Sequence, residues 1–219
     1  MAVMSRRSFL LSSLGVATLC LAGCGAKGAS DSSASTSAAT SASASGSCVT
    51  SASGTYASGT HHATIEVEGY GTIKLELDAD VAPVTVANFA KLAGDGFYNG
   101  LTFHRIISGF MVQGGDPNGN GTGGSSEKIV GEFSENGHPN SINHVRGTIS
   151  MARSQAYNSA SSQFFIMQAD TPSLDGQYAA FGHVTEGMDV VDAMCEAARP
   201  TDNNGTIAVA DQPRISSIS

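Results

Sequence analysis

The stretch Phe103–Asp116, FHRIISGFMVQGGD, sets one cation, a histidine and a glutamine among large apolar side chains just before a glycine-rich run. Read as extended chain with period-two alternation, it puts Phe103 and Arg105 on one face and Phe110 and Met111 beyond a Ser108–Gly109 turn. An arginine embedded in aromatics is costly to desolvate without partners, and Gln113 is the group placed to hold it. On these residues alone two readings stay open: a working surface, or a β-hairpin whose arginine caps a barrel.

The flanking sequence predicts what this stretch is built into. Thr64–Val67 and Thr72–Leu77 alternate β-formers with charged residues around Gly69-Tyr70-Gly71, a hairpin with one wet face. Pro83 precedes a helical pattern carrying Val86, Phe89, Ala90 and Ala93, with Gly94 placed to stop it. A second helix is marked by Met188, Val191, Met194 and Cys195. Between the two lie short β-prone runs separated by glycine-rich turns, the pattern of a closed barrel.

Upstream the chain changes character. At 219 residues it is long for one ordinary domain, and its beginning explains the excess. SRRSFL at Ser5–Leu10 is similar to a twin-arginine export signal, or is an Arg pair in a general secretory signal. An apolar segment then runs to LAGC, Leu21–Cys24, which resembles a bacterial lipobox. Residues 1–23 are therefore expected to be a signal peptide, with Cys24 lipidated as the first mature residue. Residues 24–60 are Ser, Ala, Gly and Thr with few others, a flexible tether spanning roughly 30 to 36 Å end to end, and 61–219 form the folded domain.

Charge narrows the partners. Loss of residues 1–23 removes Arg6 and Arg7 and no acidic residue, leaving 9 basic against 19 acidic residues. So acidic a chain argues against nucleic acid and against electrostatic adhesion to anionic lipid, so membrane association is expected through the lipid on Cys24. Of four cysteines, Cys20 leaves with the signal, Cys24 carries lipid, Cys48 lies in the linker and Cys195 in the second helix, a poor basis for a disulfide.

Three local patterns compete with this reading. Asp116-Pro117-Asn118-Gly119-Asn120-Gly121 with Glu127 satisfies the calcium-loop spacing, but it lacks flanking helices and has Gly123 where a strand-forming residue is usual. The six histidines show no zinc-ligand spacing, so no metal is expected. Ser173, Asp175 and His183 lack the nucleophile elbow of a hydrolase.

The wording of Phe103–Asp116, together with GTISMARS at Gly147–Ser154, SSQFFIM at Ser161–Met167 and SLDGQYAAFGHV at Ser173–Val184, resembles the cyclophilins, the peptidyl-prolyl cis/trans isomerases inhibited by cyclosporin. The likeness runs from about Thr64 to the C-terminus. It implies a mainly β fold, a closed eight-stranded antiparallel β-barrel capped by two α-helices, with Arg214–Ile218 as a last strand beside the N-terminal hairpin. It implies isomerisation of Xaa-Pro bonds without cofactor or metal, with Arg105 as the catalytic guanidinium and Gln113 orienting it. Phe110, Met111, Phe165 and Leu174 then line the proline pocket. Ala152 and Arg153 lie on the strand whose backbone bonds the substrate, Gln163 is a groove polar residue, and His104 neighbours the arginine.

The departures are Ser173, where many eukaryotic cyclophilins carry a cyclosporin-contacting Trp, and Tyr178, at a groove position often filled by His. Weak cyclosporin binding is expected. Proline-containing polypeptides are the expected partners, outside the cytoplasm, with monomer as the default state. The competing function is a proline-peptide binding module or holdase whose catalysis is incidental.

Overall fold

The computed structural model describes residues 48–219; the signal segment 1–23, Cys24 and the tether up to residue 47 lie outside the described residues. Strands β1 (Cys48–Val49), β2 (Thr60–Val67) and β3 (Gly71–Asp78) precede helix α1 (Pro83–Gly94). Then come β4 (Thr102–Ile107), β5 (Met111–Asp116), β6 (Lys128–Ile129), β7 (Thr148–Met151), β8 (Phe164–Met167), β9 (Ala180–Glu186), helix α2 (Met188–Ala197) and β10 (Ile215–Ile218). Eight strands make one antiparallel sheet in the order β10-β2-β3-β9-β7-β8-β5-β4. The outer strands meet through the Thr102–Arg214 bridge, with Gly100 N–H donating to Ile215 O and Ile215 N–H to Leu101 O, both at 2.8 Å. The result is a nearly closed barrel, which leaves few unpaired edge groups.

The expected hairpin is β2–β3, the expected helices are α1 and α2, and the terminal strand pairs with β2. Inward residues such as Ile65, Ile73, Leu75, Val112, Ile149 and Ile166 alternate along the strands and are 0–1% exposed. Phe89 of α1 inserts among Tyr98, Phe164 and Phe181 at ring separations of 5.3 to 5.6 Å. Helix α2 buries Val190, Val191, Met194 and Cys195, and packs on β3, β4 and β5. Burial raises the Cys195 thiol pKa to about 11, so this free cysteine is inert.

Helix α1 begins at a proline after Ala82, which offers no capping side chain. The buried Glu132 supplies the cap from 48 residues away, accepting from Val84 N–H at 3.0 Å, Thr85 N–H at 2.8 Å and the Thr85 hydroxyl at 2.7 Å. Burying a carboxylate costs several kcal/mol. Three charge-assisted hydrogen bonds of roughly 1.5 to 3 kcal/mol each, at the positive end of a helix, offset that cost.

Two expectations are corrected. Residues 48–59, assigned to the flexible tether by composition, dock on the domain over part of their length. Cys48 and Val49 pair in parallel with Lys128 and Ile129, Val130 N–H donates to Val49 O at 2.9 Å, and Val49 and Ala52 pack on the core. A two-residue apolar pair is enough because β6 offers a free edge.

The second correction concerns the face of β4. Phe103 is opposite Gly114 and Arg105 opposite Gln113, so His104 is an extra residue in a bulge. A bulge reverses alternation: Phe103 points into the core against Phe164, whereas Arg105 points outward. Gly114 lies beneath it, and a Cβ there would sit 3.0 Å from the Phe103 ring and press on it.

Candidate functional site

On the barrel's outer wall the register Gln113↔Phe165↔Ser150 brings β5, β8 and β7 side by side. Residues Val112, Ile149 and Ile166 face in, so Met111, Gln113 and Phe165 face out. There Met111, Phe165 and Met167 form a second apolar cluster, joined by Ile107, Phe110, Ala152, Leu174 and Tyr178. A pocket of about 150 Å³ opens in it, with Arg105, Gln113 and Arg153 at its rim. Nine residues singled out in the sequence (Arg105, Phe110, Met111, Gln113, Ala152, Arg153, Phe165, Leu174 and Tyr178) are brought together around this one cavity.

The guanidinium of Arg105 is held at two atoms. Its Nε donates to Asn204 O at 2.7 Å and its Nη1 to Gln113 Oε1 at 3.1 Å. Because Gln113 Oε1 must face those donors, its amide nitrogen faces Gln163 Oε1 at 2.9 Å, and Gln163 Nε2 in turn donates to the carbonyls of Gly121 and Gly123 at 3.2 and 2.8 Å. Flipping either amide would set donor against donor, so the relay fixes every orientation along it. Partial burial lowers the Arg105 pKa, opposed by Tyr178 and Asp202; the group remains cationic at neutral pH.

Beside the apolar pocket runs a polar cavity of about 380 Å³, lined by the Gly121–Ser125 loop, Lys128, Ser154, Ser159, Ser161 and Gln163. Gln113, Ala152 and Arg153 are shared by both cavities, which makes one continuous groove suited to an extended peptide with a small apolar ring at one point. Arg153 forms the partition. Its guanidinium lies 4.7 Å from the Tyr178 ring, 5.0 Å from Phe133 and 5.1 Å from Tyr157, and its Nε donates to Gln177 O at 2.9 Å. The N–H of Ala152 donates to Gln163 O at 3.0 Å.

His104 does not reach the apolar pocket. It is 3% exposed, with neither ring nitrogen hydrogen-bonded, beneath Gly121 on the far side of Arg105; the same bulge that turns Arg105 outward turns His104 in. The calcium-loop pattern is resolved differently. Asp116 accepts N–H groups from Asn118 and Asn120, and although burial opposes its charge these bonds hold its pKa down. Glu127 pairs instead with Lys91 at 2.8 Å.

Two contributors were missed in the sequence. Asn204 acts through a backbone carbonyl 99 residues from Arg105, for which no local signal exists. His144 packs nearly parallel to the Phe165 ring at 6.0 Å, fixed by Asp175 at 2.9 Å and by the Ser150 hydroxyl at 3.1 Å; these neighbours come from three separate stretches.

Residues 62–218 match the family model described as cyclophilin type peptidyl-prolyl cis-trans isomerase/CLD. A peptidyl-prolyl cis-trans isomerase of Helicobacter pylori is 48% identical over 135 residues, 61% of this chain and 79% of that protein. A probable peptidyl-prolyl cis-trans isomerase of Brucella suis is 45% identical over 154 residues, 65% of this chain and 74% of its own. Among solved structures, a cyclophilin-type isomerase of Cryptosporidium parvum superposes with TM-score 0.64 at 31% identity, covering 73% of this chain and 96% of that one. The same Cryptosporidium protein crystallised in the presence of the dipeptide Ala-Pro gives TM-score 0.64 at 32% identity, over 72% and 97%.

Burial lowers the pKa of both His104 and His144 from the ordinary 6.5, with Asp116 and Asp175 respectively opposing the shift. Both imidazoles therefore resist protonation in the folded chain while the unfolded chain takes up protons, so stability must fall as pH drops through 6.5. Urea unfolding is expected to show stability falling between about pH 6.5 and 5 from its value near pH 7.5. A flat profile across that window would mean that the folded imidazoles titrate normally.

Proposed function

The chain belongs to the cyclophilin-type peptidyl-prolyl cis-trans isomerases, and we propose that it accelerates Xaa-Pro isomerisation in exported proteins while held to a membrane by lipid on Cys24. The observation that carries the mechanism is the guanidinium of Arg105, gripped by Gln113 and Asn204 at the mouth of an apolar pocket.

Rotation about an Xaa-Pro bond must break amide resonance against a barrier of about 18 to 20 kcal/mol, which leaves the uncatalysed step on a scale of tens of seconds. At the twisted geometry the proline nitrogen becomes pyramidal and its lone pair is freed, so it accepts a hydrogen bond that the planar amide cannot. A donor aimed at that nitrogen lowers the barrier without tightening the ground state. Arg105 is that donor in this reading, and its fixed orientation means that no reorganisation accompanies the twist. A charged hydrogen bond of roughly 1.5 to 3 kcal/mol corresponds to about 10- to 150-fold in rate.

The remaining residues hold the substrate. Phe110, Met111, Phe165, Leu174 and Tyr178 take the pyrrolidine ring and keep water from it, while the polar cavity takes the chain before the proline. The apolar pocket fixes the proline side of the bond while the preceding carbonyl swings. The role outside the cytoplasm is supported by the SRRSFL and LAGC motifs and by a linker too poor in apolar groups to fold by itself. Ser173, exposed beside Leu174, offers neither the area nor the N–H donor of an indole, which supports weak cyclosporin binding.

Addition of the chain to a short Xaa-Pro peptide is expected to speed cis-to-trans exchange, and Arg105→Ala to reduce that acceleration by about 10- to 150-fold. A folded protein that binds the peptide without accelerating exchange would establish a binding module instead. Cys24→Ser is expected to move the protein from the membrane to the soluble fraction of the producing cell; retention on the membrane would rule out the lipid as its anchor. Ser173→Trp is expected to tighten cyclosporin binding about tenfold or more, by calorimetry, and equal affinities would remove Ser173 as the cause.

A further inference from the structure

The two acceptors that hold Arg105 differ in kind. Gln113 is a side chain in the same sheet, secured by Gln163. Asn204 contributes a carbonyl from an exposed loop of 99 residues' separation, and a loop carbonyl is only as well aimed as the loop is rigid. Within this loop the bonds converge on Asp202.

The Asp202 carboxylate accepts from Asn204 N–H at 2.9 Å and Thr206 N–H at 3.0 Å through Oδ1, and from the Thr206 hydroxyl at 2.8 Å through Oδ2. One side chain thus closes the turn from Asp202 to Thr206 on itself. The closed turn is then fastened to β4 on either side of the arginine: Ile106 N–H donates to Gly205 O at 2.9 Å and Ile207 N–H to His104 O at 3.0 Å. Gly205 sits at φ +85°, and a Cβ there would lie 2.4 Å from the Ile107 side chain and 2.8 Å from Ile106 O, so the turn is seated directly on the strand. Asn204 O emerges from this seat toward Arg105 Nε.

We propose that Asp202 is a positioning residue for isomerisation, acting through the Asn204 carbonyl to fix the plane of the Arg105 guanidinium. The proposal rests on the isomerase reading above. Held at Nη1 alone, a guanidinium swivels about that single hydrogen bond; held at Nε as well, its plane is set, and with it the direction in which its remaining N–H groups face the pocket. Alignment of this kind matters at the twisted amide and not in ground-state binding. Asp202 is not among the residues that line the apolar pocket, and among the described residues it forms no ion pair with Arg105, although its charge opposes the lowering of the Arg105 pKa. Its effect should therefore lie in kcat and not in KM.

The test compares the full chain with Asp202→Ala and Asp202→Asn, each also in the Arg105→Ala background, and follows two quantities. The first is kcat and KM for an Xaa-Pro peptide. The second is the solvent exchange rate of the Arg105 Nε–H proton by NMR, which reads the Asn204 hydrogen bond with no reference to activity. Asp202→Ala is expected to lower kcat about 3- to 10-fold, leave KM within about twofold, and speed Nε–H exchange at least tenfold. Asp202→Asn keeps one carbonyl acceptor and is expected to recover part of both, which keeps the test open if the alanine variant fails to fold. In the Arg105→Ala background neither substitution should lower the residual rate further.

An unchanged Nε–H exchange rate in both variants would overturn the proposal, as would an equal loss of kcat when Arg105 is absent. A parent chain that does not accelerate the peptide at all would instead remove the isomerase reading, while the exchange measurement would still report whether Asp202 holds the arginine.

Discussion

The arrangement depends on one extra residue in β4. His104 bulges out of register, and the strand on its two sides serves two different environments. Before it, Phe103 fills the barrel against Phe164; after it, Arg105 stands on the outer wall among Met111, Gln113 and Asn204. Without the bulge, alternation would send one of the two to the wrong side: an aromatic ring into solvent, or a cation into a core where an unpaired charge costs many kcal/mol. The bulge has its own cost, an imidazole buried with no hydrogen-bond partner among the described residues.

From that placement the chemistry follows a chain of donors and acceptors. Arg105 donates to Gln113, Gln113 to Gln163, and Gln163 to the carbonyls of the Gly121–Gly123 loop. Those three side chains are thereby committed before substrate arrives. Toward the pocket stand the edge of the guanidinium and the apolar surface of Phe110, Phe165, Leu174 and Tyr178. A site with little to reorganise suits a reaction in which no covalent bond is made or broken, where the rate depends on how well the enzyme fits a twist.

The elements with local periodicity were legible in the sequence: the β2–β3 hairpin from its alternation, both helices from their apolar stripes, and the fold from several motifs in order. The clustering of Phe110, Met111, Phe165, Leu174 and Tyr178 was legible only through the family resemblance, because they come from separate stretches of chain. The face of Arg105 was misread because a bulge leaves no mark on a period-two pattern. Long-range partners were invisible for the same reason: Glu132 capping α1 and Asn204 O on Arg105 are set by tertiary contact, and neither residue type is unusual where it stands. Docking of residues 48–59 was hidden by composition, since two apolar residues in a serine-rich run suffice to pair with an open edge.

The central claim is that Arg105 recognises the twisted amide and not the planar one. Exchange spectroscopy on a proline peptide at saturating enzyme separates the two, because it yields the rate of cis–trans interconversion on the enzyme and the dissociation constant of each isomer in one experiment. For Arg105→Ala the account predicts an on-enzyme rate reduced at least tenfold with both dissociation constants within about twofold of the parent. Weakened binding of either isomer with an unchanged on-enzyme rate would contradict it, making the arginine a ground-state contact and returning the origin of catalysis to the apolar pocket.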